Sequence, residues 1–495
     1  MADIPGRDNT WGSHLYKLSA YAALVCIALF ICLVALHFEY TPDDVYIYLQ
    51  YAKKLAQGKG FSFNGNTPSY GTTGPLWALF IAGGVKIGFT PYAVAKSSDF
   101  IFAFLSIAAI QVLATEVLKN KTHAFLATAL FSLDGWFIRW SSSGMESSFA
   151  VLLSIVAVWL ILRNYLIVSA FAFGCLTLTR PEGGILFAIM YLKFLLESSG
   201  GKRSIVDRLV PLLCYGIVVL SWLTFSYFHF GQIIPNTYFG KSTGLPNVRE
   251  IFPSVSTVAK LLAATQFPLI AAFVASFFSR NSRSGWQGKH FLWIWVLLLP
   301  IFYVVDSVEV VSRYLLIILP FLVIGGVNGI QILCRSLHLS PKRIFFLTFT
   351  MVIVTFAQNE VLYWAVVKPH VDSFVIGMNN CLKPMGRWLR DNTEENALVF
   401  VPDVGVIGYY SDRIICDIGL ITPEVGKAFH GLDYDHAMLQ KKYDSLIHPD
   451  YVIDRSPVPM RLASSSLLPI MTSQFPGLGI TMSDTTYYTL YKVIR

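Results

Sequence analysis

Charge is what this sequence has least of. Only 14% of its 495 residues are Asp, Glu, Lys or Arg, where a soluble domain carries about a quarter, and 54% are hydrophobic. An ordinary water-soluble globule is excluded. There is no G-x-x-x-x-G-K-[ST] loop and no G-x-G-x-x-G after a strand, so no nucleotide site is visible as a motif. Cysteine and histidine show no metal-ligand spacing, and the seven cysteines are an odd number. Cys26, Cys32, Cys175, Cys214 and Cys334 fall in apolar segments as small packing residues. Cys381 and Cys416 lie in the polar C-terminal part, where export would allow them to bridge. The net charge is +8, but the basic residues sit in short clusters between apolar segments, so nucleic acid is not an expected partner.

Long apolar runs take the place of charge. From Lys17 to Trp364 they recur at lengths suited to a hydrocarbon core of about 30 Å, whereas the rest of the chain is ordinary in polarity. Eleven spans are expected: Leu18 to Phe38, Ala95 to Leu118, Ala124 to Trp140, Ser147 to Leu162, Leu166 to Thr179, Gly184 to Leu196, Leu209 to Phe230, Val258 to Phe278, Phe291 to Val305, Tyr314 to Leu333 and Ile344 to Trp364. The first is too long, and too weakly marked by small residues, to be a removed signal peptide. The stretch GPLWALFIAGGVKIGF, Gly74 to Phe89, is short and interrupted by glycines and Lys86. If it does not cross, the clusters around Lys119 and Lys121, Arg163, Lys202 and Arg203, Arg280 and Arg283, and Lys342 and Arg343 all fall on the cytoplasmic side, as the positive-inside rule requires. It is therefore read as a juxtamembrane helix.

The expected architecture is a polytopic α-helical membrane protein. A membrane domain, residues 1–364, carries a first outer loop at 39–93 with juxtamembrane helices, and a soluble α/β domain, 365–495, follows on the outer face. In that tail the helical MGRWLRDN precedes the strand ALVFVPDVG; the strand RIICDIG, a helix near 436–446 and strands at Tyr451 and Thr486 follow.

The outer face gathers the polar residues that invite chemistry. In TPDD, Thr41 reads as an N-cap, Pro42 as the first helical residue and Asp44 as the third, a capping-box spacing, with Gly58 ending the helix. The apolar positions Val45, Leu49, Ala52 and Leu55 predict an amphipathic helix on the membrane surface. A cap uses one acid, which leaves Asp43 at the hydrocarbon boundary, where a carboxylate needs a partner or a task. Arg139 and Glu146, Arg180 and Glu182, Asn236 and Lys241, and Asp306, Glu309 and Arg313 lie in the other outer loops. Each has a bland reading as a snorkelling or paired residue. Together, acids and cations beside a bilayer suit a substrate with an attacking hydroxyl and a leaving phosphate. A prenyl tail held at about 0.8 kcal/mol per CH₂ would keep such a phosphosugar at that level.

In this order, PDDVYIYLQYAKKLAQGKGFSFN, SYGTTGPLW, SSGMESSFA, LTRPEGG, FGQIIPNTYFGKS, SRYLLIILP and DVGVIGYYSDRIICDIGLITPEV resemble polytopic glycosyltransferases of the GT-C type. They are nearest to arabinofuranosyltransferases and, more distantly, to protein O-mannosyltransferases and aminoarabinose transferases. The resemblance runs from Tyr40 to about Val425. It implies a polyprenyl-phosphate-sugar donor, a glycan, lipid or protein acceptor, a plasma-membrane enzyme working on the extracytoplasmic (periplasmic) face, and an acid of the first outer loop as catalytic base. That role maps onto Asp43, or Asp44 beside it, and Asp43 is favoured because it matches the first acid of related Asp-Glu pairs. Glu146 matches a second acidic position near the acceptor. Tyr70, Arg180, Glu182, Asn236, Lys241 and Arg313 complete the substrate-binding set, and Tyr409, Tyr410 and Asp412 are candidates for covering the acceptor site. Where relatives often carry GGD, this chain has Val304, Val305 and Asp306. Paired acids leave room for a divalent cation, but no ligand triad is evident, so no metal residue is assigned. The rival readings are a ligase or polymerase of lipid-linked oligosaccharides and a transporter or flippase. The transporter would place charges deep in the spans and show an internal repeat.

Overall fold

The computed structural model describes residues 8–65, 67–198, 204–241, 248–306, 309–418, 421–422, 434–479 and 486–495. The chain opens with α1 (Asp8–Ala35), the first-loop helices α2 (Asp43–Ala56) and α3 (Pro75–Lys86), then α4 (Pro91–Leu118), α5 (Lys121–Ser132), α6 (Gly135–Trp140), α7 (Ser147–Leu162), α8 (Leu166–Thr179) and α9 (Gly183–Ser198). It continues with α10 (Ile205–Phe230), α11 (Asn236–Lys241), α12 (Val248–Phe277), α13 (Ser282–Trp286), α14 (His290–Val305), α15 (Leu319–Ser336) and α16 (Pro341–Leu362). Each expected span coincides with at least one helix, although not all are continuous. Among the described residues, six helical stretches are long and apolar enough to cross a membrane, and the shorter apolar helices α7, α8 and α14 lie among them. At 12 residues, α3 reaches only about 18 Å and is too short to cross.

The expected span Ala124 to Trp140 is broken between α5 and α6. Asp134 causes the break. One of its oxygens accepts from the N–H groups of Trp136 and Phe137 at 3.0 and 2.9 Å, capping α6, and the other accepts from the Gln266 amide at 2.9 Å. Gln266 is itself a non-helical residue inside α12, two positions before Pro268. Proline supplies no N–H to the carbonyl four residues back, and the Gln358 amide donates to that Ala264 carbonyl instead, at 2.8 Å. This buried acid is thus spent on helix geometry.

The last membrane helix has no loop after it. From Pro341 the chain stays helical to Asn392, through two π-helical turns, Tyr363–Val367 and Met378–Leu382, which flank α17 (Lys368–Gly377) and precede α18 (Lys383–Asn392). Residue 364 therefore lies inside a continuous helix. Beyond it, α19 (Val404–Ser411), α20 (Tyr434–Leu439) and α21 (Lys442–Leu446) pack on a sheet of β1 (Leu398–Phe400), β2 (Ile414–Cys416), β3 (Tyr451–Ser456), β4 (Leu467–Phe475) and β5 (Thr486–Val493). The single helix expected near 436–446 is two. Strand order is β2-β1-β3-β5-β4, parallel across β2-β1-β3 and antiparallel across β3-β5-β4. Cys381 and Cys416 are not joined in a disulfide: the first donates to the Ser473 carbonyl at 3.7 Å and the second to the Thr422 hydroxyl at 3.6 Å. The anticipated bridge is absent.

The structure also corrects the reading of α2. Its N-cap is Pro42, without a side-chain cap, because the Thr41 hydroxyl is engaged by the Glu39 carbonyl at 3.2 Å and by Tyr92 at 3.3 Å. Gly58 ends the helix at φ +76°, as expected of a C-terminal glycine. However, α2 does not leave one face open as an exposed amphipathic helix would. Val45 through Ala52 are all buried, because α2 is sandwiched between α3 on one side and α19 of the sheet domain on the other.

Candidate active site

Five loops bring polar side chains to one end of the membrane helices, around a cavity of about 250 Å³. Asp44 enters from the first turn of α2. Glu146 sits at the start of α7, where Trp77 of α3 fixes the preceding turn by donating to the Gly144 carbonyl at 3.1 Å. Arg180 follows α8 in an extended conformation, because Pro181 disfavours helix at the residue before it, and Glu182 follows before α9. Asp306 caps the end of α14. Arg313 comes from a short 3-10 turn, Ser312–Leu315, whose Ser312 hydroxyl accepts from Trp140 at 2.9 Å.

These groups are cross-linked by charge. Arg180 donates to Glu146 at 3.0 Å and to Glu182 at 3.1 Å, and Tyr303 also donates to Glu182. Arg313 pairs with Asp44. Both guanidiniums stand over the Tyr314 ring, at 4.8 Å for Arg180 and 5.3 Å for Arg313, a cation–π arrangement that favours a desolvated cation. Burial works against the charge on Arg180, but Glu182, Tyr303 and Glu146 outweigh it and hold its pKa well above the ordinary value. Arg313 is raised in the same way, by Asp44 first. Burial pushes Glu182 upward, yet Arg180 and the Tyr303 hydroxyl bring it below its usual value. Tyr48, buried beside Glu146, is raised far enough to remain a neutral donor.

The cluster is polar but not closed. Asp44, Glu146, Glu182 and Asp306 line the cavity with Arg180 and Arg313, so four carboxylates face two guanidiniums. The second oxygen of Glu146 and the Nε atoms of Arg180 and Arg313 have no hydrogen-bond partner among the described residues. The Asp44 side chain remains 36% exposed. Ile47, Ile185 and Phe302 supply an apolar wall. Among the described residues no three His, Cys, Asp or Glu side chains are grouped closely enough to hold a metal ion.

Of the residues anticipated from sequence, Asp44, Glu146, Arg180, Glu182 and Arg313 meet in this cavity. Asp43 does not line it. Its carboxylate points the other way and accepts from the backbone N–H groups of Gly405 at 2.9 Å and Val406 at 2.7 Å, the first turn of α19. Burial, and after it the nearby Asp403 carboxylate, push Asp43 up to about 7 against the lowering effect of those N–H groups. Tyr70 is also elsewhere: its hydroxyl accepts from Trp222 at 2.7 Å and its ring stacks on Phe230 at 4.8 Å. The Asn236 amide oxygen accepts from Gln232 at 2.5 Å, and its backbone N–H donates to the Tyr70 carbonyl at 2.8 Å; its neighbours Thr237 and Tyr238 line the cavity instead. Lys241 ends α11, and its side chain lies outside the described residues. Arg139 is held apart by the Tyr40 hydroxyl at 2.9 Å and His370 at 3.3 Å. Sequence reasoning passed over Tyr48, Tyr303 and Tyr314. Tyr303 and Tyr314 flank the Asp306 loop, which was the available signal.

Comparison with solved structures places the whole chain in one fold. It superposes on ArnT from Cupriavidus metallidurans, solved bound to undecaprenyl phosphate, with a TM-score of 0.55 at 12% identity, covering 94% of this chain and 97% of that one. The Archaeoglobus fulgidus oligosaccharyltransferase matches with a TM-score of 0.55 at 13% identity over 90% of this chain and 70% of its own. The mycobacterial arabinofuranosyltransferase AftD matches with a TM-score of 0.50 at 13% identity over 97% of this chain, which spans only 42% of AftD. The fold is therefore of the GT-C type. A family model described as a domain of unknown function, DUF8728, matches residues 375–491, and no curated protein matches.

Proposed function

We propose that the chain is a membrane glycosyltransferase that moves a sugar from a polyprenyl-phosphate donor to a hydroxyl acceptor at the cavity bounded by Asp44, Glu146, Arg180 and Arg313. The observation that carries this is the Asp44–Arg313 pair in the wall of a cavity with an apolar side, within the fold shared with ArnT, the oligosaccharyltransferase and AftD. The extracytoplasmic face is favoured by the basic loops: Lys119 and Arg163 gather at Glu116, on the loops that alternate with those of the cavity.

In this reading Asp44 accepts the proton of the acceptor hydroxyl, whose oxygen attacks the anomeric carbon as the bond to the phosphate oxygen breaks, through an oxocarbenium-like transition state. The electron pair leaves with the prenyl phosphate, whose charge Arg313 meets, while Arg180 keeps Glu146 and Glu182 in position. Asp44 is preferred to Asp43 because both Asp43 oxygens are occupied by backbone N–H groups. The sheet domain is proposed to sit on the same outer face, since α19 docks on α2. Charges clustered at one end of the helices favour transfer over transport.

The test is purified protein incubated with a radiolabelled prenyl-phosphate sugar and candidate acceptors. Asp44→Asn is expected to lower transfer at least about 100-fold in protein that still folds, although Arg313 loses its charge partner. Full activity in that variant, or translocation without transfer in the native protein, would overturn the reading.

A further inference from the structure

A second concavity lies across α2 from the catalytic cavity. Asp44 and Lys53 are nine residues apart, about two and a half turns, so they leave the helix on opposite sides. On the Lys53 side, the end of α2, the α3–α4 junction and the sheet domain enclose a groove of about 670 Å³ whose lining includes Lys53, Lys86, Arg390, Tyr409 and Tyr410.

Its charge is unbalanced. Asp412, its one lining acid, is bridged by Lys53 at 3.2 Å and Lys54 at 2.9 Å. Arg390 meets only the exposed Asp391, at 2.9 Å, and Lys86 stands at the end of α3 with no ion pair among the described residues. Arg387 adds a further guanidinium 5.3 Å above the Tyr410 ring. Lysines at a helix C-terminus also offset the helix dipole, which accounts for Lys53, Lys54 and Lys86. It covers Arg390 too, in the last turn of α18, but not Arg387 one turn earlier, whose guanidinium stands over Tyr410, or the pair of tyrosines in the lining.

The position of the groove identifies the occupant. It opens beside Pro91, where α4 begins its 28-residue apolar run, and Ile87 and Phe89 stand 75% and 61% exposed in the turn between. Exposed apolar side chains next to a group of cations and tyrosines match the adjacency of acyl chain, interface and phosphate in a bilayer leaflet.

From this we infer that the groove binds the phosphate headgroup of an anionic membrane lipid, which thereby bridges the first-loop helices to the sheet domain. The site is separate from the catalytic cavity, and its test needs no sugar donor. The full chain, reconstituted in phosphatidylcholine nanodiscs containing phosphatidylglycerol, is released and examined by native mass spectrometry for retained lipid. The native protein is expected to keep phosphatidylglycerol in preference to phosphatidylcholine. Lys86→Gln with Arg390→Gln should lower retention about tenfold, and Lys86→Arg with Arg390→Lys should restore it. Lys119→Gln with Arg163→Gln, at the opposite end of the helices, should leave it unchanged. Equal retention in the Lys86/Arg390 variant would overturn the proposal. Displacement of the lipid by millimolar inorganic phosphate would also overturn it, reducing the groove to a simple anion site.

Discussion

Asp43 and Asp44 are neighbours in one helical turn, yet they belong to two regions that treat a carboxylate in opposite ways. In the cavity, acids are met by guanidiniums: Arg313 on Asp44, Arg180 on Glu146 and Glu182. At the seam between α2 and α19, Asp43 is met by uncharged N–H groups and stands near a second acid, Asp403, which Arg455 and Tyr488 hold at 3.1 and 2.5 Å. Cationic partners keep an acid ionised, whereas a desolvated seam beside a like charge favours the protonated form. The cavity is therefore built for permanent charge and the seam for a charge that comes and goes near neutrality.

The largest effect should come from breaking the cavity. Arg180→Ala leaves Glu146 and Glu182 buried without their cation and is expected to cost about 3–5 kcal/mol in denaturant unfolding, with loss of sugar transfer. Unchanged stability would mean that the network does not hold the loops together. The seam should answer more mildly. A Cβ at Gly405 would stand 2.0 Å from the Asp43 carbonyl oxygen, so Gly405→Ala must push α19 off α2. About 1–3 kcal/mol is expected, read most directly as faster proteolytic release of the sheet domain. The effect confined to one pH range is the most diagnostic. The Asp43 carboxyl is raised to about 7, so its share of stability is present at low pH and is lost as pH rises from about 4 through about 7. Asp43→Asn should flatten that part of the stability–pH profile. An equally steep profile in the variant would assign the titration to another group.

Much of this was legible in the chain because membrane proteins announce their helices through apolar length. The polar residues that stood out between those helices are for the most part the ones that converge, since a loop beside a bilayer has few places to put a charge. The anticipated residues that lie apart from the cavity are held there by partners distant in sequence. Gly405 and Val406, which engage Asp43, lie some 360 positions away, and no local pattern distinguishes a carboxylate that caps a remote helix from one that takes a proton. Tyr70 stands apart for a similar reason: its partners Trp222 and Phe230 lie in the second half of α10. The interruption at Asp134 was hidden because its apolar surroundings continue on both sides, and only the kink at Gln266 explains why the helix stops there.

The unbroken helix from Pro341 to Asn392 carries one more implication. Its 52 residues would measure about 78 Å at the standard rise, more than twice the hydrocarbon thickness. The sheet domain is thus mounted on a mast rather than a tether. Its elevation and heading follow the tilt of a membrane helix, so a thicker or thinner bilayer, by leaning that mast, would shift the α2–α19 seam and with it the turn that carries Asp44.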